Sequence, residues 1–262
     1  YPLKSAEIAS NNRRTLGIGV TNLAYYLAKN DAKYSDGSGN DLIHKTFEAL
    51  QYYSLKASNK LAEELSPCPL FSETQYAKGI MPIDSYKKDI DAFCSTKLEL
   101  DWDTLRKNIK SKGLRNSTLT ALMPCESSSQ ISNSTNGIEP PRGFISVKQS
   151  KDGILKQVVP EYEKLHKKYE LLWDIKDNEG YLQLCAIMQK FVDQSISTNT
   201  HYDPSQFEGS RVPMKLFLMD LLKAYKYGIK TLYYHTTRDG SGDDQNNTKQ
   251  GDDDCEDGVC KL

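Results

Sequence analysis

A chain of 262 residues with 38% hydrophobic and 26% charged side chains can bury an ample core, in one large domain or two small ones. No apolar run is long enough for a membrane-spanning helix. The net charge of −1 divides unevenly, with −5 on residues 238–262 and +4 on residues 1–237, and no Lys/Arg block marks a nucleic-acid surface, so an anionic small molecule is the more economical partner.

Taken in chain order, Leu16, Val20, Leu23 and Leu27 share one helical face and predict a helix over 13–29. After the Ser35-Asp-Gly-Ser-Gly turn, Asp41 can cap a long helix that reaches about residue 65 and is stopped by Pro67. Shorter helices are expected over 82–93 and 101–112. Leu119-Thr-Ala-Leu-Met123, cut by Pro124, is long enough only for a buried strand. Helices follow over 161–173, 179–195 and 213–227, then a buried strand over 230–235 and a flexible, linker-like tail beyond Thr237. Short apolar strands between long helices predict a helix-rich α/β fold with a sheet covered by helices. The strands are too few to close a barrel, so the chain reads as part of a larger architecture.

Three motifs carry candidate chemistry. In Ala121-Leu-Met-Pro-Cys-Glu-Ser-Ser-Ser-Gln130 an apolar strand stops at Pro124 where a helix can start. Free backbone N–H groups and the positive dipole end suit an anion there, and small hydroxyl residues add donors; plain N-capping by serine is the commoner alternative. Tyr233-Tyr234 places two phenols in succession, expected on opposite faces of a regular strand. They are either ordinary strand aromatics or a pair able to pass a hydrogen atom. Cys255 and Cys260, with four residues between them, lie near the end of the acidic tail, close enough in sequence for a disulfide. The acidity predicts raised thiol pKa values and a need for a partner oxidoreductase. A zinc half-site lacks a second Cys/His pair, and two unrelated surface thiols are the simplest alternative. The other cysteines, Cys68, Cys94, Cys125 and Cys185, are irregularly spaced, unlike a secreted disulfide framework, which points to a reducing, cytoplasmic compartment. Cys125 has no sequence-adjacent His or Asn to make it a nucleophile.

These motifs occur together with Arg13-Arg-Thr-Leu-Gly-Ile-Gly-Val20, Tyr34-Ser-Asp-Gly-Ser38, Gly113-Leu-Arg-Asn-Ser-Thr-Leu119 and Asn136-Gly-Ile-Glu-Pro-Pro-Arg-Gly143. In this order they resemble the C-terminal part of the large (alpha) subunit of class I ribonucleotide reductases, of the bacterial and phage class Ia kind. The resemblance covers essentially the whole chain. It implies the C-terminal portion of a ten-stranded α/β barrel over 1–237 and a redox tail over 238–262. It also implies radical reduction of ribonucleoside diphosphates to deoxyribonucleoside diphosphates. By the same resemblance, Pro124, Cys125, Glu126, Ser127 and Ser128 form the substrate-phosphate loop, although many relatives carry Ser where Cys125 stands. Tyr233 and Tyr234 relay the radical, and Cys255 and Cys260 re-reduce the active-site disulfide before being reduced by thioredoxin or glutaredoxin. The helix over 213–227 lies where relatives help receive the small subunit's C-terminus.

The implied partners are the N-terminal portion of the large subunit, the small (beta) subunit with its dimetal–tyrosyl radical site, and the ribonucleoside diphosphate. No metal or cofactor is expected on this chain itself, and no membrane or direct nucleic-acid partner. The family's Asn-x-Cys-x-Glu radical-cysteine pattern is missing. The chain, which begins at Tyr1, is therefore expected to be a fragment or a split half, inactive alone. The rival expectation is a thiol–disulfide or anion-binding module that kept the fold without the reaction.

Overall fold

The computed structural model describes residues 1–150, 153–238, 255–256 and 259–260. Its first helices divide where one was expected. Helix α1 (Lys4–Arg13) ends at Arg14, whose φ of 48° is left-handed, and α2 (Leu23–Lys29) starts only after Asn22. Between them the chain is extended: the Leu16 amide donates to the Thr118 carbonyl at 3.1 Å, and Ile18 bridges Thr120 in parallel. A Cβ on Gly19 would lie 2.7 Å from the Ala121 carbonyl oxygen, so this approach requires glycine. Leu16 and Leu23 thus serve different elements, and the single helix over 13–29 is corrected.

Helix α3 (Asn40–Leu65) forms as expected, with Ile43, Phe47 and Leu55 buried on its inner face. Each such side chain contributes roughly 1.5–3 kcal/mol on leaving water. Asp41 does not cap it. Its carboxylate instead accepts the Ser95 and Thr96 amides at 2.8 and 3.0 Å. The stretch 82–93 holds two 3-10 turns, Pro82–Asp84 and Lys88–Phe93, rather than one helix. Its carboxylates are drawn to tertiary partners, Asp84 to Arg106 and Asp91 to Lys190. Helix α4 (Trp102–Lys112) is capped by Asp101, which accepts the Thr104 amide at 3.0 Å.

Glu48 of α3, 2% exposed, ties this region together by accepting from the Glu99 and Leu100 amides and from Trp102 Nε1, at 2.9, 3.0 and 3.0 Å. Glu48→Ala leaves these donors without their acceptor and is expected to cost about 3–5 kcal/mol, at about 1–3 kcal/mol for each unsatisfied buried group. A lowered denaturant midpoint at unchanged slope checks this; a midpoint equal to that of the parent chain refutes the clamp.

Helix α5 (Glu126–Ile131) follows Pro124, and an unexpected antiparallel hairpin comes next, β1 (Ile145–Ser150) with β2 (Gly153–Val158). The expected helix over 161–173 shrinks to α6 (Tyr162–Leu165) and a 3-10 turn at Leu172–Asp174. Glu170 is diverted to accept the Tyr34 and Ser35 amides at 2.8 and 3.1 Å. Helix α7 (Glu179–Gln189) stops short of 195 because Gln189 Nε2 donates to the Val192 and Gln194 carbonyls, each at 3.0 Å, and folds the chain back. Leu182, Leu184, Ile187 and Met188 of α7 are buried in the core shared with α3.

Strand β3 (Thr198–Tyr202), helix α8 (Met214–Lys226) and strand β4 (Leu232–Thr237) complete the body. In the tail, β5 (Cys255–Glu256) pairs antiparallel with β6 (Val259–Cys260).

Strands β3 and β4 are parallel. Two further parallel bridges, Ile18 to Thr120 and Leu122 to Ile196, extend the alignment. Four extended segments therefore lie side by side in chain order, around residues 18, 121, 198 and 234. Helices α3, α4 and α7 lie in the connections between them, and the result is a helix-rich α/β arc with no closed barrel among the described residues.

Candidate active site

In parallel α/β sheets ligands gather at the carboxyl ends of the strands. Pro124 stands at that end of the segment around 121, and Asp193 fixes the segment from the neighbouring one. Its carboxylate accepts the Leu119 and Thr120 amides at 2.8 and 2.9 Å and the Tyr76 hydroxyl at 2.8 Å. Cys125 then occupies the N-cap position of α5. Its amide donates to Asn136 Oδ1 at 3.0 Å, and its thiol faces the Val20 and Met123 carbonyls at 3.6 and 3.3 Å. Burial pushes the Cys125 thiol pKa up, so it is a neutral packing group here. Asn136 Nδ2 also holds Glu126 Oε1 at 3.3 Å, and Gln157 of β2 donates to the Ser129 and Ser134 carbonyls. The unexpected hairpin thereby braces the loop.

Ser127 and Ser128 follow in the first turn of α5, exposed, where backbone amides have no acceptor inside a helix. Pro124, Glu126, Ser127 and Ser128 all face solvent around this turn. The sequence marks these residues, and the stretch 133–143 with Asn136 as an extension of the loop suited to a cleft wall, but gives Gln157 no part, since its role depends on tertiary placement.

A separate cleft of about 760 Å³, lined by residues that include Arg13, Thr15, Tyr76, Asp193 and Lys230, opens at the amino ends of the same segments. That is the wrong end for chemistry in a parallel sheet.

Tyr233 and Tyr234 depart from expectation. Thr198 pairs with Leu232 but Thr200 pairs with His235, so two residues of β4 oppose the single residue Asn199. This bulge breaks the alternation of side chains. The two rings touch in a tilted arrangement, with centroids 4.0 Å apart and planes at 46°, and are 49% and 54% exposed. The expected buried strand with phenols on opposite faces is therefore corrected to an exposed strand whose two phenols touch. The next residue, His235, packs on Phe217 of α8 at 4.4 Å and meets Thr200 Oγ1 at 2.6 Å.

Helix α8 is seated by Asp220, 1% exposed, which accepts from Asn178 Nδ2 at 2.8 Å and from the Tyr202 hydroxyl at 3.1 Å. Its outer face presents Met214, Leu218, Leu221, Leu222 and Tyr225, a stripe of exposed apolar side chains at helical spacing.

Nearby, burial and the charge of Arg142 lower the His201 pKa to about 4, which keeps that imidazole neutral. Burial likewise raises the Cys185 thiol to about 12, consistent with a packing role. Among the described residues no group of three His, Cys, Asp or Glu side chains is arranged to hold a metal, and no helix is long and apolar enough to cross a membrane. The side chains of Cys255 and Cys260 lie outside the described residues; their backbones are directly opposite partners in the β5–β6 pair.

A family model described as "Ribonucleotide reductase, barrel domain" matches residues 1–235. The chain belongs to the ribonucleotide reductase family. It is 63% identical to the ribonucleoside-diphosphate reductase 1 subunit alpha of Escherichia coli K12, over all of this chain and 35% of that protein. Against the subunit alpha of Haemophilus influenzae the identity is 65%, over all of this chain and 34% of the relative. Against that of Enterobacteria phage T4 it is 52%, again over all of this chain and 34% of the relative. The chain thus spans about a third of the length of these reductase relatives.

Proposed function

We propose that this chain forms the C-terminal part of a cytoplasmic ribonucleoside-diphosphate reductase large subunit. Residues 1–237 contribute an arc of a ten-stranded α/β barrel and 238–262 a redox tail. The observation that carries the reading is the touching Tyr233–Tyr234 pair on an exposed strand of the same parallel arc as the Ser127–Ser128 helix start. A radical relay needs its two phenols in contact, and the bulge provides that contact.

In this reading the first-turn amides and hydroxyls of Ser127 and Ser128 take the diphosphate of a ribonucleoside diphosphate. Pro124 fixes the turn and Glu126, held by Asn136, shapes it, while Cys125 anchors the loop through its amide bond to Asn136. Tyr233 and Tyr234 pass a hydrogen atom between the small subunit's radical site and an active-site cysteine supplied by the N-terminal portion of the subunit. That thiyl abstracts the ribose 3′ hydrogen and gives it back once the 2′ position has been reduced, which regenerates the thiyl. A cysteine pair gives two electrons as the 2′ hydroxyl leaves as water, and becomes a disulfide. Cys255 and Cys260 reduce that disulfide by exchange, and thioredoxin or glutaredoxin reduces them in turn. The α8 stripe suits the small subunit's C-terminal segment. The exposed edges of the arc suit the remaining barrel strands, since unpaired strand edges require cover.

Ser127→Glu tests the substrate loop. Ser127 is exposed, so the fold tolerates the change. In a complete large subunit the added carboxylate is expected to weaken ribonucleoside diphosphate binding by about 1–4 kcal/mol, the range between two charges 4 Å apart in water and at a protein surface. Direct titration reads this as a loss of roughly five-fold to several hundred-fold. Unchanged affinity removes the loop from the substrate site.

A further inference from the structure

The bulge that brings Tyr233 against Tyr234 leaves a backbone amide out of register, and the structure shows what satisfies it. Asn199, opposite the bulge and 9% exposed, accepts the Tyr234 amide on its side-chain oxygen at 2.9 Å. Its Nδ2 donates to Glu139 Oε1. Glu139 lies on the turn that begins at Asn136, where the Glu139 amide donates to the Asn136 carbonyl at 3.3 Å. Asn136 in turn grips the phosphate loop through the Cys125 amide and the Glu126 carboxylate. One short turn therefore holds the loop at one end and, through Asn199, the bulge at the other.

Without a capped amide a bulge has little to prevent the strand from slipping back into regular pairing. That slip would restore the alternation of side chains and part the two rings. A carboxamide suits this position because it offers an acceptor to the amide and a donor to the carboxylate at once.

We propose that Asn199, oriented by Glu139, is a positioning residue for radical transfer: it caps the amide left over by the bulge and so holds the two phenols in contact. The proposal rests on the relay reading of Tyr233–Tyr234. Burial raises the Glu139 pKa, against the opposing pull of Asn199 and Arg142, so this carboxyl depends on Asn199 as a partner.

The test uses a complete large subunit with its small subunit. Asn199→Leu is expected to lower kcat about 100-fold, the typical cost of a misplacement near 1 Å, with KM for the ribonucleoside diphosphate changed less than about twofold. Asn199→Asp keeps the acceptor but sets two carboxylates against each other, and is expected to fall similarly. Asn199→Asp combined with Glu139→Gln reverses the donor and acceptor between the two side chains, and is expected to recover turnover to within a few-fold of the parent. Full turnover in Asn199→Leu, or a double variant no better than Asn199→Asp, overturns the proposal. Tyr234→Phe serves as the control: if it too retains turnover, the relay reading itself fails, whereas an inactive Tyr234→Phe beside an active Asn199→Leu removes only the bracket.

Discussion

Tyr234→Phe in a complete large subunit is expected to abolish turnover, by at least roughly a thousandfold, while ribonucleoside diphosphate binding stays within about twofold of the parent. The first figure follows from removing the only transferable hydrogen on the ring: a barrier raised by as little as about 4 kcal/mol already slows the step about a thousandfold. The second follows from geometry, since the ring is 54% exposed and removal of one oxygen leaves the ring contact with Tyr233 and the Asn199 bond to the backbone in place. Stability is expected to change by about 0.5 kcal/mol at most, as for other exposed positions. Tyr233→Phe should behave in the same way, because a relay in series fails at either member. Single-turnover and binding measurements on both variants separate the effects. Turnover retained by either variant removes that phenol from the relay and leaves the ring contact as ordinary packing.

Much of the scaffold was legible because local pattern and tertiary demand agree. Helices α3, α4 and α8 follow the apolar period closely, and Asp101 caps α4 as its type and place suggest. The segment around Leu16 failed for the opposite reason. Leu16 and Val20 continue the helical spacing of Leu23 and Leu27, but Gly17 and Gly19 allow close approach to Ala121 and Met123, and strand pairing wins. The β1–β2 hairpin had a signal, Asp152-Gly153 between alternating apolar and polar residues, that the preponderance of helix masked.

The candidate site shows the same division. The loop after Pro124, the phenol pair and the tail thiols stand out because unusual residue types are adjacent in sequence. The contact between the phenols does not, since it arises from a register shift against β3, and the cap at Asn199 comes from 35 positions away. Its own partner, Glu139, lies a further 60 positions upstream of Asn199. Sequence adjacency reveals which groups can react; only the pairing of distant strands decides whether they touch.

The tail thiols give the other large expected effect. Cys255→Ser with Cys260→Ser should reduce thioredoxin-driven turnover to background once each active-site disulfide has formed. Turnover should continue with a small dithiol that enters the site directly. The electron count requires this split. Each cycle leaves one disulfide in the site, and two electrons must arrive either through the tail dithiol by exchange or from a reagent small enough to bypass it. The β5–β6 register suits the task because directly opposed residues in an antiparallel pair have Cα atoms about 4.5–5.5 Å apart. That separation is inside the range of about 4.4–6.8 Å that a disulfide needs, so the pair can close after giving up its electrons. The single variants sharpen the test. A lone tail thiol can still attack the active-site disulfide but has no neighbour to resolve the product, so a mixed disulfide should accumulate between the tail and the site and be visible by non-reducing mass analysis. The double variant should form none. Thioredoxin-driven turnover at the parental rate in the double variant would show that electrons reach the site by another route and that the two cysteines serve no exchange there.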